Sequence, residues 1–218
     1  MKRTLCLFIL LNLFTGSIAL YAQEDQETQY LVPGKTEFSG FGAPIVEFSS
    51  LNGEFAVCLG GGGALLINQT FFFGGYGESI INNHYRDDVK TYVNIEHPKI
   101  TFEHGGFWLG YIYKHEKAIH GGLSMILGWG EINLEGDEYI YNPALDYDFS
   151  DETFILTPQI EMEFNLTSWF KINLGAGYRF VTGIDATYLD SQSNEVNFYD
   201  KSDFNSPVGS VSLLFGGF

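Results

Sequence analysis

Eight segments of the sequence alternate apolar residues with small or polar ones, which is the period-two pattern of a β-strand with two different faces. The clearest is WFKINLGAGYRF (169–180), where large apolar residues alternate with Lys, Asn, Gly and Arg. Several segments reach the about 9–11 residues that a tilted strand needs to cross a bilayer. Glycine supplies 26 of the 218 residues, which disfavours long helices. The segments are roughly 38–48, 54–67, 70–77, 100–113, 118–132, 154–165, 169–182 and 207–218.

The connections between these segments alternate short and long from the second one onward. The short ones are 68–69, 114–117 and 166–168, and the long ones are 78–99, 133–153 and 183–206. Outer-membrane barrels show this alternation because their periplasmic turns are tight and their external loops are long. The first connection, 49–53, is an external loop that stays short. The pattern predicts an all-β fold, a closed up-and-down antiparallel transmembrane β-barrel of about eight strands over residues 38–218.

The two faces of the segments also favour a membrane barrel over a soluble sheet. In 54–67, Phe55, Leu59 and Leu65 on one face oppose Ala, Cys and Gly on the other. A soluble sheet directs its apolar face to a core and a charged or hydroxyl-rich face to water. Small residues instead suit the narrow lumen of an eight-stranded barrel, with the apolar face towards lipid. An exported soluble β-sandwich stays open as an alternative.

Charged residues on the predicted inner face of the segments 154–165 and 169–182 indicate a polar cluster in the lumen. A hairpin centred on Thr167 would place Glu163 opposite Lys171, and opposite charges stabilise a cross-strand pair. Eight strands normally leave a filled interior, but such a cluster could also line a narrow pore. The predicted lumen cluster is Glu161, Glu163, Lys171 and Arg179.

The N-terminus has the pattern of a signal peptide over residues 1–22. Lys2 and Arg3 precede the apolar run LCLFILLNLF, and small residues follow it. Residues 23–37 are polar, lack periodicity and predict a flexible periplasmic lead. Without residues 1–22 the chain keeps nine Lys and Arg against 27 Asp and Glu, a net charge of −18. Such a chain repels nucleic acid, so we expect no nucleic-acid partner.

The last segment, PVGSVSLLFGGF, ends on Phe218. It resembles the C-terminal strand of Gram-negative outer-membrane β-barrel proteins, which typically ends in a phenylalanine recognised during assembly. The departures are Gly216, where a second aromatic is often found, and Phe215, which is out of phase with Phe218. The signal end LYAQ and the block 39–77 resemble small Bacteroidota outer-membrane barrels of uncharacterised function. The resemblance implies an outer-membrane location and contact with the barrel-assembly machinery through Phe218, and it transfers no catalytic residue.

The sequence indicates no catalytic or cofactor-binding residues and no cofactor. His120 and Ser124 share a strand face but lie about 13 Å apart along it, too far for a nucleophile–base pair. The 133–153 connection holds seven acidic residues and no Lys or Arg. Carboxylates bind Ca²⁺ and Mg²⁺, so this loop could hold divalent cations beside lipopolysaccharide phosphates. The weak metal candidates are Asp137, Glu138, Asp146 and Asp148.

These features predict a monomeric outer-membrane barrel, not an enzyme, with a structural or binding role through its acidic external loops. Its expected partners are outer-membrane lipid and lipopolysaccharide. The alternatives are a narrow pore for small solutes and, less favoured, an envelope lipid-modifying enzyme.

Overall fold

The computed structural model describes residues 36–90, 97–136, 150–189, 192 and 194–218. The predicted signal peptide and the predicted lead up to residue 35 lie outside these residues. Eight long strands build the barrel, and a short hairpin and one helical turn stand between the last two. The elements are β1 (Phe38–Leu51), β2 (Glu54–Ile67), β3 (Phe71–Ile80), β4 (Lys99–Tyr113), β5 (Ile119–Glu135), β6 (Asp151–Asn165), β7 (Phe170–Thr182), β8 (Thr187–Leu189), β9 (Glu195–Asn197), α1 (Lys201–Phe204) and β10 (Ser206–Gly216).

The long strands form one closed antiparallel sheet in the order β1-β10-β7-β6-β5-β4-β3-β2. Closure comes from β1 pairing with β10, for example Val46 with Val211. β8 and β9 pair with each other in a separate two-stranded sheet. The prediction of an all-β, closed up-and-down barrel with eight strands is therefore confirmed, including the short third strand. No helix in the described part of the chain is long and apolar enough to cross a membrane.

The two ends of the barrel differ in their connections. One end, the turn end, carries the connections 68–70, 114–118 and 166–169. The opposite end, the loop end, carries 81–98, 136–150 and 183–205 together with the β1–β2 hairpin. That hairpin has a two-residue tip in which Asn52 and Gly53 have φ of 52° and 76°. Positive φ at both central residues is typical of the tight hairpin turn whose backbone matches the twist of the paired strands.

The register of the β6–β7 hairpin differs from the prediction by two residues. Glu163 pairs with Asn173, and Lys171 pairs with Asn165. Five residues, 166–170, lie between the paired residues Asn165 and Lys171, two more than the predicted hairpin had, and within them the N–H groups of Leu166 and Thr167 both donate to the carbonyl of Phe170. Side chains alternate with a period of two, so a two-residue shift leaves every side chain on its predicted face.

The lumen is filled by side chains in two apolar clusters. The turn-end cluster contains Phe41, Phe72 and Trp108, whose rings meet edge to face, and Phe218 packs against it. The loop-end cluster combines strand residues such as Phe102 and Ile155 with residues from the connections. Those connection residues are Val89, Ile184, Phe198 and Tyr199, together with Phe204 of α1.

Candidate functional site

The most deeply buried charged group in the loop-end half of the lumen is the pair Arg179–Glu47. Arg179 projects inward from β7 and is 1% exposed, and its Nη1 donates to Glu47 Oε1 at 2.9 Å. Its Nε donates to the Phe204 carbonyl at 3.1 Å, and its Nη2 donates to the Ser50 carbonyl at 3.3 Å. One guanidinium therefore ties three parts of the chain together: β7, the end of β1 and the helical turn α1.

Two further titratable side chains, Glu78 and His104, are buried in the same half of the lumen. Both carboxylate oxygens of Glu78 are buried with no hydrogen-bond partner from the described protein residues. Glu78 lies opposite His104 on the β3–β4 ladder, and His104 Nδ1 is 3.0 Å from the hydroxyl of Tyr76. Neither Glu47 nor Glu78 was singled out from the sequence. The signal existed, since Glu47 falls in phase with Phe41, Ala43 and Ile45 on the inner face of β1.

The other members of the predicted lumen cluster lie in the turn-end half. Lys171 Nζ donates to Glu163 Oε2 at 3.2 Å, and His120 Nε2 is 3.0 Å from the same oxygen. The hydroxyl of Ser124 donates to Glu161 Oε1 at 2.5 Å. All of these side chains are buried. Glu163 and Lys171 meet diagonally across the ladder, although they are not the directly opposed pair that the predicted hairpin would give.

The structure does not bring all four predicted lumen residues together. Lys171 and Arg179 share a face of β7 but are eight residues apart, which is about 26 Å along a strand. Between them the described lumen is occupied by polar side chains such as Gln159, which accepts from Ser210. The cluster is therefore two separate ion-pair groups, one towards each end. The imidazole of His120 and the hydroxyl of Ser124 bind different glutamates, so these two residues form no Ser–His pair.

The loop end is closed by connection residues that fold into the mouth of the barrel. Arg86 donates to the Phe198 carbonyl at 2.6 Å and lies over the Tyr199 ring. It also forms a bidentate ion pair with Asp88, in which Nε donates to Oδ1 and Nη2 donates to Oδ2, each at 2.8 Å. These hydrogen bonds raise the pKa of Arg86 and lower that of Asp88, and burial raises the pKa of Tyr199. Among the described residues the mouth thus holds a packed apolar cluster, and Arg86 of the Arg86–Asp88 ion pair lies against its Tyr199 ring.

The outer wall is apolar along most of its height. Large exposed side chains include Leu65, Phe73, Leu123, Ile160 and Leu213. Exposed aromatic residues lie towards both ends of the strands. Towards the turn end they are Tyr111, Tyr113 and Phe215, and towards the loop end they are Phe48, Phe55, Trp129 and Phe180. An apolar band with aromatic edges is the surface that a bilayer-spanning barrel presents to lipid.

The predicted cation ligands Asp137, Glu138, Asp146 and Asp148 lie outside the described residues. In the part of the chain that the structure describes, no group of three or more His, Cys, Asp or Glu side chains is arranged to hold a metal ion. Sequence reasoning missed the sealing residues Val89, Phe198, Tyr199 and Phe204, because they lie in long connections without a periodic pattern.

Comparisons with known proteins find similarity in solved structures only. No protein-family model matches the chain, and no curated protein matches it. The chain is similar to the crystal structure of Neisserial surface protein A, with 11% identity over 84% of this chain and 99% of that one, at a TM-score of 0.48. It is also similar to Ail, the attachment invasion locus protein of Yersinia pestis, with 11% identity over 83% of this chain and 97% of that one, at a TM-score of 0.45.

A major outer membrane protein from Thermus thermophilus matches with 9% identity over 84% of this chain and all of that one, at a TM-score of 0.47. The resemblance to Bacteroidota barrels stays a prediction.

Proposed function

We propose that this chain is an outer-membrane protein that does not conduct solutes, and that it acts by presenting a folded loop end for binding at the cell exterior. The observation that carries the proposal is the contrast between the two sides of the barrel wall. The outside is a band of exposed apolar residues with aromatic edges, whereas the inside is filled and sealed by buried side chains. Lipid is the solvent that this outer wall fits.

The membrane location can be tested by fractionation. The full chain, produced in a Gram-negative host, should appear in the outer-membrane fraction. Its band in an SDS gel should move differently with and without boiling, because a closed barrel resists detergent unfolding until it is heated. Recovery as a dispersed, monodisperse protein from the periplasm without detergent would contradict the proposal and favour the soluble β-sandwich.

Conductance separates the binding role from the narrow pore. The lumen contains Arg179–Glu47 towards one end, Lys171–Glu163 towards the other, and an apolar cluster at each. We therefore expect purified barrel in a planar bilayer to give no steady current above the lipid background. A stable single-channel current would contradict the proposal that the lumen is closed. Loss of that current in a Glu163→Gln variant would show that it depends on the charges in the lumen.

The partner proposed for the loop end is lipopolysaccharide bridged by divalent cations. The support is chemical, since the 133–153 connection carries seven acids without a Lys or Arg, and carboxylates bind Ca²⁺ and Mg²⁺. Calorimetric titration of the refolded protein with CaCl₂ should show binding that weakens when Asp137, Glu138, Asp146 and Asp148 are changed to Asn or Gln. Unchanged binding of Ca²⁺ by this variant would exclude these four residues as ligands of the cation.

A further inference from the structure

The turn end of the barrel contains a cavity of about 340 Å³ that its three connections share. Gln69 comes from the first connection, His115 from the second, and Thr167 and Ser168 from the third. Phe218 also lines this cavity, and behind it lies the turn-end cluster that fills the lumen. The volume is within the about 300–1,000 Å³ that is usual for small-molecule sites. We call this cavity the turn-end pocket.

The polar side chains of the turn-end pocket have hydrogen-bonding capacity that the described protein does not use. The side chains of Gln69, His115 and Ser168 form no hydrogen bond with another described residue. The hydroxyl of Thr167 accepts from the N–H of Trp169 at 3.3 Å, and its own proton has no acceptor among the described residues. Amide, imidazole and hydroxyl groups can all donate. Neutral donors from three separate connections therefore line one small volume.

Lys171 adds a positive charge to the wall of the turn-end pocket. It is 2% exposed, and its Nζ lies 4.2 Å from the centre of the Phe218 ring, which lines the same pocket. An ammonium group has three N–H groups. In the described part of the chain its hydrogen-bond acceptor is Glu163 Oε2, which is also in contact with His120. A buried charge is little screened by solvent, so it acts strongly on a ligand beside it.

The connection beside the pocket is basic and held in place. In a chain with 27 acidic residues and 11 Lys and Arg, this connection reads KHEK, with Lys114 and Lys117 against Glu116, which also lines the pocket. The side-chain amide of Asn165 donates to the carbonyls of His115 and Lys117, at 2.9 and 2.8 Å. A wall that is ordered before the ligand arrives reduces the entropy lost on binding.

We propose that the turn-end pocket binds an oxyanion, the phosphate or carboxylate group of a ligand on the periplasmic side. Lys171 donates a charge-assisted hydrogen bond to one oxygen, and Gln69, His115, Thr167 and Ser168 donate to the others. A cationic ligand is repelled by the buried ammonium. The word periplasmic rests on the proposed membrane location, whereas the binding chemistry does not.

Nuclear magnetic resonance of the refolded chain in uncharged micelles tests the proposal. Sodium phosphate is titrated against sodium chloride at constant ionic strength. We expect the backbone amides of Thr167 and Ser168 and the side-chain amide of Gln69 to shift with phosphate and to saturate. The amides of the β8–β9 hairpin at the loop end should not shift, which makes them the internal control.

Variants assign the binding to the pocket. Lys171→Met with Glu163→Gln removes the ammonium together with its partner, so that no buried charge is left alone. This double variant should weaken phosphate binding at least about ten-fold, and Ser168→Ala, which changes only an exposed hydroxyl, should weaken it about three-fold or more. Lys117→Gln is the matched control, because it removes an exposed positive charge of the same connection outside the pocket, and it should change binding less than about two-fold. All variants are first checked for heat-dependent gel mobility.

Three probes distinguish the sources of the oxyanion: inorganic phosphate, N-acetyl-alanyl-alanine as a peptide carboxylate, and phosphatidylglycerol added to the micelles. Saturation by a soluble probe supports a free ligand, and saturation by phosphatidylglycerol alone supports a lipid headgroup. If none of the probes gives a saturable shift in protein whose gel band is heat-modifiable, the anion site is wrong and the membrane barrel stands. Equal weakening by Lys117→Gln and the double variant would also overturn the site, because binding would then follow overall charge.

Discussion

Arg179 connects the inner face of β7 with the sealed loop end. An Arg179→Met variant leaves Glu47 buried without its partner and removes the donors to the carbonyls of Phe204 and Ser50. Removing one member of a buried pair typically costs about 3–5 kcal/mol, because the remaining charge stays buried and uncompensated. We expect a loss of that size in the free energy of unfolding, measured by urea titration of refolded protein in detergent micelles.

The double variant Arg179→Met with Glu47→Leu is the control for the charge. Replacing a whole buried pair by apolar residues is often close to neutral, so the double variant should recover most of the loss. If Arg179→Met alone changes the free energy of unfolding by less than about 1 kcal/mol, the pair does not hold the loop end in place.

His84 gives the loop end a stability that depends on pH. It is 2% exposed, and its Nδ1 lies 3.3 Å from Glu54 Oε2 without hydrogen-bond geometry. Burial lowers the pKa of His84 below its usual value of about 6.5, and Glu54 only partly opposes this. The unfolded chain therefore binds the proton more readily, and the free energy of unfolding falls as the pH drops through about 6.5.

A His84→Gln variant should show a shallower fall in the free energy of unfolding between pH 7.5 and 5. His97→Gln is the control, because it removes an imidazole from the same connection whose side chain is largely exposed. An unchanged slope in His84→Gln would mean that other groups cause the pH dependence.

Strand β3 contains two neighbouring glycines, of which one has no room for a side chain and the other has. A Cβ on Gly74, which faces the lumen, would collide with the carbonyl oxygen of Gly63 and with Ala64. A Cβ on Gly75, which faces outward, would lie 3.4 Å from the carbonyl oxygen of Gly106. Gly74→Ala should therefore lower the free energy of unfolding by about 1–3 kcal/mol or prevent refolding, whereas Gly75→Ala should change it by about 0.5 kcal/mol or less. Urea titration of the two variants side by side is the measurement.

The strands and their faces could be predicted because the side-chain period of two needs no knowledge of pairing. The β6–β7 register could not, because it depends on how many residues the turn takes, and the bonds of Leu166 and Thr167 to Phe170 form only in the folded hairpin. Glu163 still meets Lys171, since long side chains reach a diagonal neighbour. The face of a strand is therefore more predictable than its register.

The filling of the lumen at its two ends is a property of the whole molecule and lies beyond sequence patterns. Small residues on the inner faces correctly indicated a narrow lumen, yet Phe41, Phe72 and Trp108 also face inward and fill one end. At the other end the lumen is filled by Phe198 and Phe204, which pack against residues such as Phe102 from distant parts of the sequence. Contacts between distant segments of this kind have no local signal, so the packing that supports the proposed closed lumen could not be predicted from the sequence.

Phe218 combines a packing role with the assembly role that the sequence resemblance implies. Its ring lies 6.2 Å from that of Phe41, and Lys171 Nζ is 4.2 Å from its centre. A cation over an aromatic ring contributes about 0.5–2 kcal/mol, so Phe218→Ala should weaken the refolded barrel modestly. If Phe218 has the assembly role that the resemblance implies, we expect a much larger effect in cells, a several-fold loss of heat-modifiable protein from the outer membrane.

Phe215→Ala is the matched control, because it removes an outward ring stacked 5.0 Å from Phe170 in the same strand but not the terminal residue. Comparing refolding in micelles with outer-membrane yield for both variants separates packing from recognition. A recognition role predicts that Phe218→Ala lowers the cellular yield far more than Phe215→Ala at similar stability in micelles. If the two variants lose yield in proportion to their stability, Phe218 stabilises the turn end by packing and carries no separate signal.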